Sequence, residues 1–160
     1  MDLGTTIIGL ICIVICAIPF VLTIRGKKKK EKQLLVSLKD LAKQQNCEIT
    51  EFDICGFYAI GIDKAKNFVF FVFKKKDLSK QQFVDLSTIK SCKIANIGKS
   101  TSKNGKIIEQ LHLNFSPIDD NKTNTVFEFY NVDVNYQISG ELESIKKWNT
   151  LINNVLKTSK

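Results

Sequence analysis

The sequence is nearly without arginine: of its 24 basic residues only Arg25 is one, and lysine supplies the rest of a net charge of +8. Arginine makes the commonest bidentate contact to guanine and matches phosphate geometry, so basicity carried by lysine argues against nucleic acid as a partner. Histidine is equally scarce. His112 stands alone, with neither a GxSxG elbow nor a Cys/His signature, which leaves nucleophilic catalysis without its usual apparatus. The phosphate-cradling patterns GxxxxGKS/T and GxGxxG are missing too. No CxxC spacing joins Cys47, Cys55 and Cys92; a zinc site is not expected, and the thiols read as small buried hydrophobes of a reducing compartment. These absences point away from an enzyme and from any metal or cofactor. Only two prolines and eight glycines accompany eleven phenylalanines, which excludes a disordered chain.

What is present is unevenly spread. Residues 5–24 run without a charge for twenty positions, and a helix of that length, rising about 1.5 Å per residue, crosses a hydrocarbon core of about 30 Å. Residues 1–26 therefore read as a transmembrane anchor. A cleaved signal peptide would need a positive segment ahead of the run and a small-residue cleavage site behind it. Ahead stands Asp2, and behind come Arg25, Gly26, four lysines, Glu31 and Lys32. Basic residues beside a span stay cytoplasmic, which predicts a single pass of the inner or plasma membrane, the N-terminus outside and everything after residue 25 in the cytoplasm. Arg25, Lys27, Lys28, Lys29 and Lys30 set this topology and meet lipid headgroups, each lysine near an anionic surface adding about 1 kcal/mol. Thr5 and Gly9 form a small-xxx-small pair that allows a weak homodimer through the span. In that topology the two sequons, at Asn114 and Asn121, are out of reach of glycosylation.

Residues 27–46 read as a basic juxtamembrane segment and linker helix. Leu34, Leu38, Leu41 and Ala42 recur at helical spacing, with Lys39, Lys43 and Gln44 on the other face, so a helix over 33–45 is expected to dock on the domain that follows. From Cys47 the period becomes two. Strands are expected at 48–54, 57–63, 68–73, 82–86, 89–97, 107–115 and 125–130, the third buried on both faces because it reads Phe-Val-Phe-Phe-Val-Phe. Residues 63–67, 74–80, 98–105 and 116–124 read as connections. Asp119 and Asp120 are turn formers rather than a catalytic pair. An amphipathic helix over 140–157 closes the chain, with Leu142, Ile145, Trp148, Ile152, Val155 and Leu156 on one stripe and Lys146, Lys147, Asn153 and Lys157 toward water. The acids Glu141 and Glu143 suit its N-terminal dipole.

Seven short strands followed by one helix with a central tryptophan, over residues 47–160, resembles the pleckstrin-homology-like (PH-like) fold, in particular bacterial members with a membrane anchor. The local cues are residues 61–72, 83–94 and 142–148. The resemblance implies an α+β domain, a mostly antiparallel β-sandwich or partial barrel capped by the last helix, with Trp148 and Ile152 in the core. Eukaryotic members often bind phosphoinositides through basic residues of an early hairpin; the corresponding candidate binding loops here carry Lys64 and Lys66, then Lys74, Lys75 and Lys76, without the usual arginine.

Two functions remain open. The favoured one is a membrane-anchored, cytoplasmic, non-catalytic binding or adaptor module that contacts a protein partner at the bilayer. The alternative is an anionic-lipid-binding or lipid-sensing domain that uses the lysine-rich loops.

Overall fold

The computed structural model describes Ile13, residues 26–101 and residues 105–158, the side chains of 99–101, 105 and 106 excepted. The apolar run at 5–24, Ile13 apart, and Arg25 lie outside the described residues, as does the anchor read there. Among the described residues no helix is long and apolar enough to cross a membrane. Met1–Gln33 and Leu34–Lys160 form two compact units. In the first, residues 26–33 are helical and exposed, Lys27, Lys28, Lys29 and Lys30 among them.

The second unit is α+β. It opens with helix α1, residues 34–44. Seven antiparallel strands follow: β1 (Glu51–Cys55), β2 (Tyr58–Asp63), β3 (Phe68–Lys75), β4 (Leu78–Asp85), β5 (Ile89–Thr101), β6 (Gly105–Pro117) and β7 (Thr125–Asn131). Helix α2 (Glu141–Thr158) ends the described chain. The strands form a four-stranded sheet in the order β1-β2-β3-β4 and a three-stranded sheet in the order β5-β6-β7.

Residues 69–72 of β3 are all buried, as the unbroken apolar run requires. Val69 and Phe71 belong to a core shared with Ile60 of β2, Leu113 of β6 and Phe127 of β7, while Phe70 and Val72 on the opposite face join Leu34, Leu38, Leu41 and Ala42 of α1. Alternation by twos thus sends one strand's side chains into two cores. Trp148 and Ile152 of α2 are fully buried in the first of them.

Helix α1 ends in a Schellman motif. Asn46 takes the left-handed conformation at φ 54°, Cys47 N donates to Ala42 O at 2.9 Å and Asn46 N to Lys43 O at 2.9 Å. The turn that follows is tied to the end of β2, where Glu48 N donates to Asp63 Oδ2 at 2.9 Å. One turn back along α1, Leu38 lies over Gly61, where a Cβ would stand 3.0 Å from Leu38 Cδ2 and 3.0 Å from Ile49 Cγ2. The missing side chain lets the helix approach the sheet.

Two connections are shorter than the sequence suggests. The expected loop at 74–80 is mostly strand: β3 continues through Lys75, β4 begins at Leu78, and only Lys76 and Asp77 turn, with Lys76 at φ 48°. Strand pairing carries these polar residues because β4 is an edge whose first half has solvent on both faces. The loop expected at 98–105 is likewise narrowed, since β5 extends to Thr101 and β6 starts at Gly105. The register shifts between Ile97 and Gly98, where a Cβ would lie 2.2 Å from Ile107 O, so only glycine fits the bulge.

Candidate interaction surface

The five loop lysines do not form one patch. Lys64 and Lys66 stand at the β2–β3 turn, whereas Lys74, Lys75 and Lys76 stand at the β3–β4 turn, the length of β3 away. Three of the five are engaged locally. Lys64 Nζ pairs with Glu51 Oε2 at 2.8 Å, Lys66 Nζ donates to the carbonyl of Asn46, and Lys75 Nζ donates to the carbonyl of Val134 while lying 4.5 Å from the centre of the Phe57 ring. Lys74 and Lys76 are exposed.

The β2–β3 turn is organised by a carboxylate rather than by its lysines. Asp63 is 3% exposed, and its oxygens accept from the backbone N–H groups of Glu48, Ala65 and Lys66 at 2.9, 2.9 and 3.0 Å. Burial pushes its pKa up, but those three donors and the Cys47 thiol more than offset this, so the carboxyl sits below its ordinary value. Asn67 completes the turn at φ 59°.

A polar group closes the space between β1 and α2. Ser144 Oγ donates to Asp53 Oδ2 at 3.1 Å, with Lys147 Nζ 4.0 Å from the same oxygen. Glu141, which suits the N-terminal dipole of α2, is 2% exposed and accepts from Ser139 N at 2.6 Å and from Asn135 Nδ2 at 3.3 Å. The Tyr58 hydroxyl lies buried beside Ser144 and the Cys55 thiol without a well-aligned hydrogen bond to either, and burial raises its pKa. A small pocket lined by Tyr58, Tyr130, Asn135 and Glu141 has about 10 Å³ of free volume, room for about one water. Burial likewise raises the pKa of Cys47 and Cys55 and pushes the Cys92 thiol up to about 12, so none of the three is activated. His112 sits on β6 opposite Glu128, its Nε2 3.7 Å from Glu128 Oε2. Among the described residues no three His, Cys, Asp or Glu side chains converge as a metal site.

The four outer strand edges differ. α2 lies beside β1, where Ser144 Oγ donates to the Asp53 side chain. On β5, Asn153 Nδ2 of α2 donates to Cys92 O at 2.9 Å, although Asn153 reads as water-facing in the sequence. β7 pairs with a register shift at Leu111/His112. β4 pairs with β3 across all eight residues without a shift and has no proline. Leu78 is 54% and Phe83 43% exposed, and the three residues after Leu78 are exposed as well. Phe83 extends an aromatic row, its ring centre 6.3 Å from those of Phe68 and Phe70. At the start of β4 an open groove of about 380 Å³ lies between the β3–β4 turn and residues 133–136, where Tyr136 is 91% exposed. The sequence does not mark this edge, because its run of Ser, Lys and Gln at 79–82 carries no apolar signal. No family model, curated protein or solved structure matches the chain.

Proposed function

We propose that the chain is a single-pass, membrane-anchored module whose PH-like domain binds a protein partner on the cytoplasmic face and carries out no chemistry. Residues 1–26 are the anchor in this reading, and tethering raises the domain's effective concentration at the bilayer. The observation that carries the choice of a protein over a lipid partner is the separation of the loop lysines: two turns at opposite ends of one sheet, three of the five side chains already used. A headgroup site needs convergent donors, and these diverge. The strand edge at β4, by contrast, is the kind of surface that proteins use for strand addition. The Lys27 to Lys30 cluster serves topology and general attraction to anionic lipid.

The test uses two readouts. A photo-cross-linking residue replacing Gln81 is expected to give a discrete protein adduct in intact cells. Flotation of residues 33–160 with phosphatidylglycerol vesicles is expected to leave the domain in solution. Flotation with no adduct would replace this reading with the lipid-binding one.

A further inference from the structure

We propose that the free edge of β4 accepts an acidic, extended segment of a partner protein as an added strand, with one large apolar side chain of that segment seated between Leu78 and Tyr136. This rests on the protein-binding reading and names its surface.

Three observations converge on it. The edge is long and straight: eight residues in unbroken register with β3, without the bulges that interrupt both pairings of the other sheet. Such an edge presents a row of backbone donors and acceptors, which natural sheets blunt with proline, a bulge or charged residues such as lysine; β4 has neither proline nor bulge, and Lys80 is the one charge between Leu78 and Phe83. It is also flanked by a receptor for a side chain. The groove of about 380 Å³ at its start is lined by Leu78, Val134 and Tyr136 together with Lys75, Lys76, Asp77 and Asp133. An almost fully exposed tyrosine beside an exposed leucine is the composition of an interface anchor, and strand addition obtains affinity from the main chain and specificity from such pockets. Charge selects the occupant. Residues 74–80 hold four lysines against one aspartate, with Lys74 and Lys76 exposed and Lys80 only loosely paired, at 3.9 Å from Glu128 Oε1. An acidic strand is drawn to this hairpin, whereas a second copy of a chain of net charge +8 is repelled.

The test is selection of a displayed random twelve-residue peptide library on the full chain held in phosphatidylcholine nanodiscs. The expected winners carry more acids than bases and one aromatic or large aliphatic residue. Their affinity falls at least tenfold in Leu78→Asp and in Tyr136→Ser, falls severalfold in Lys76→Glu, and weakens from 0.1 to 0.5 M salt. Thermal unfolding of each variant checks that the domain is intact; these side chains are exposed, so all three remain folded. Winners without acidic bias, or binding untouched by the three variants, overturn the β4 proposal while leaving the protein-binding reading in place. No winners overturns the β4 proposal; if the same chain also binds phosphatidylglycerol nanodiscs beyond a variant lacking Lys74 and Lys76, the protein-binding reading falls with it. Concentration-dependent dimerisation abolished by Leu78→Asp would show the edge to be a self-interface and contradict the choice of occupant.

Discussion

Asn153 Nδ2 reaches across from α2 to donate to the carbonyl of Cys92 at 2.9 Å, and the same nitrogen donates to Asn149 O at 2.8 Å. The contact occupies an acceptor on the outer edge of β5 and pins the last helix to its sheet. Asn153→Ala leaves that half-buried carbonyl without its partner and is expected to cost about 1–2 kcal/mol, read as a lower urea midpoint at unchanged slope.

Asp63 holds three backbone N–H groups, so Asp63→Asn is expected to cost about 1–3 kcal/mol at pH 7. The pH dependence follows from the lowered folded-state pKa. Stability from the ionised carboxylate is fully present above the unfolded value of about 3.9 and is lost as pH falls through the lower folded value. The gap between wild type and Asp63→Asn in urea denaturation should therefore be constant from about pH 5 to about pH 7, where the carboxylate stays ionised, and shrink below about pH 4.

At Gly61 a Cβ would meet Leu38 and Ile49 side-chain carbons 3.0 Å away. Gly61→Val is expected to lift α1 from the sheet at about 1–3 kcal/mol, and Gly61→Ala to cost less because the contacted atoms end flexible side chains. Hydrogen exchange that accelerates in α1 while β6 stays protected would confirm that the strain falls on the core that α1 shares with Phe70 and Val72.

The lysines of the β3–β4 turn separate into structural and free. Lys75→Ala removes the contact with Phe57 and the bond to Val134 O, for an expected loss of about 0.5–1 kcal/mol. Lys74→Ala is expected to leave thermal stability unchanged. Equal losses at both positions would contradict this division.

Much of this architecture is legible in the residues themselves. The run at 68–73 has no polar alternation, and it lies between two cores; the spacing of Leu34, Leu38, Leu41 and Ala42 marks a helix that docks. Trp148 and Ile152 enter the core as the stripe on α2 requires. Asp119 accepts from Asn121 N at 3.0 Å, a turn former as its neighbours suggest. What stays hidden depends on partners distant in sequence. Asn153 has the polarity of a solvated residue, and only the edge of β5, 61 residues earlier in sequence, gives it an interior role. Glu141 is buried because residues 135–139 fold back over it. The start of β4 looks like a loop because an edge strand exposed on both faces has no hydrophobic period to display.

The central claim, a binding domain tethered on the cytoplasmic face, is tested most directly by thiol labelling. In a variant with its native cysteines replaced and Lys122→Cys in the exposed β6–β7 turn, a membrane-impermeant maleimide is applied to intact and to permeabilised cells, and the carbonate-washed membrane fraction is then read. The account predicts labelling of membrane-bound protein only after permeabilisation. Labelling in intact cells, or recovery of the protein in the soluble fraction, would contradict it.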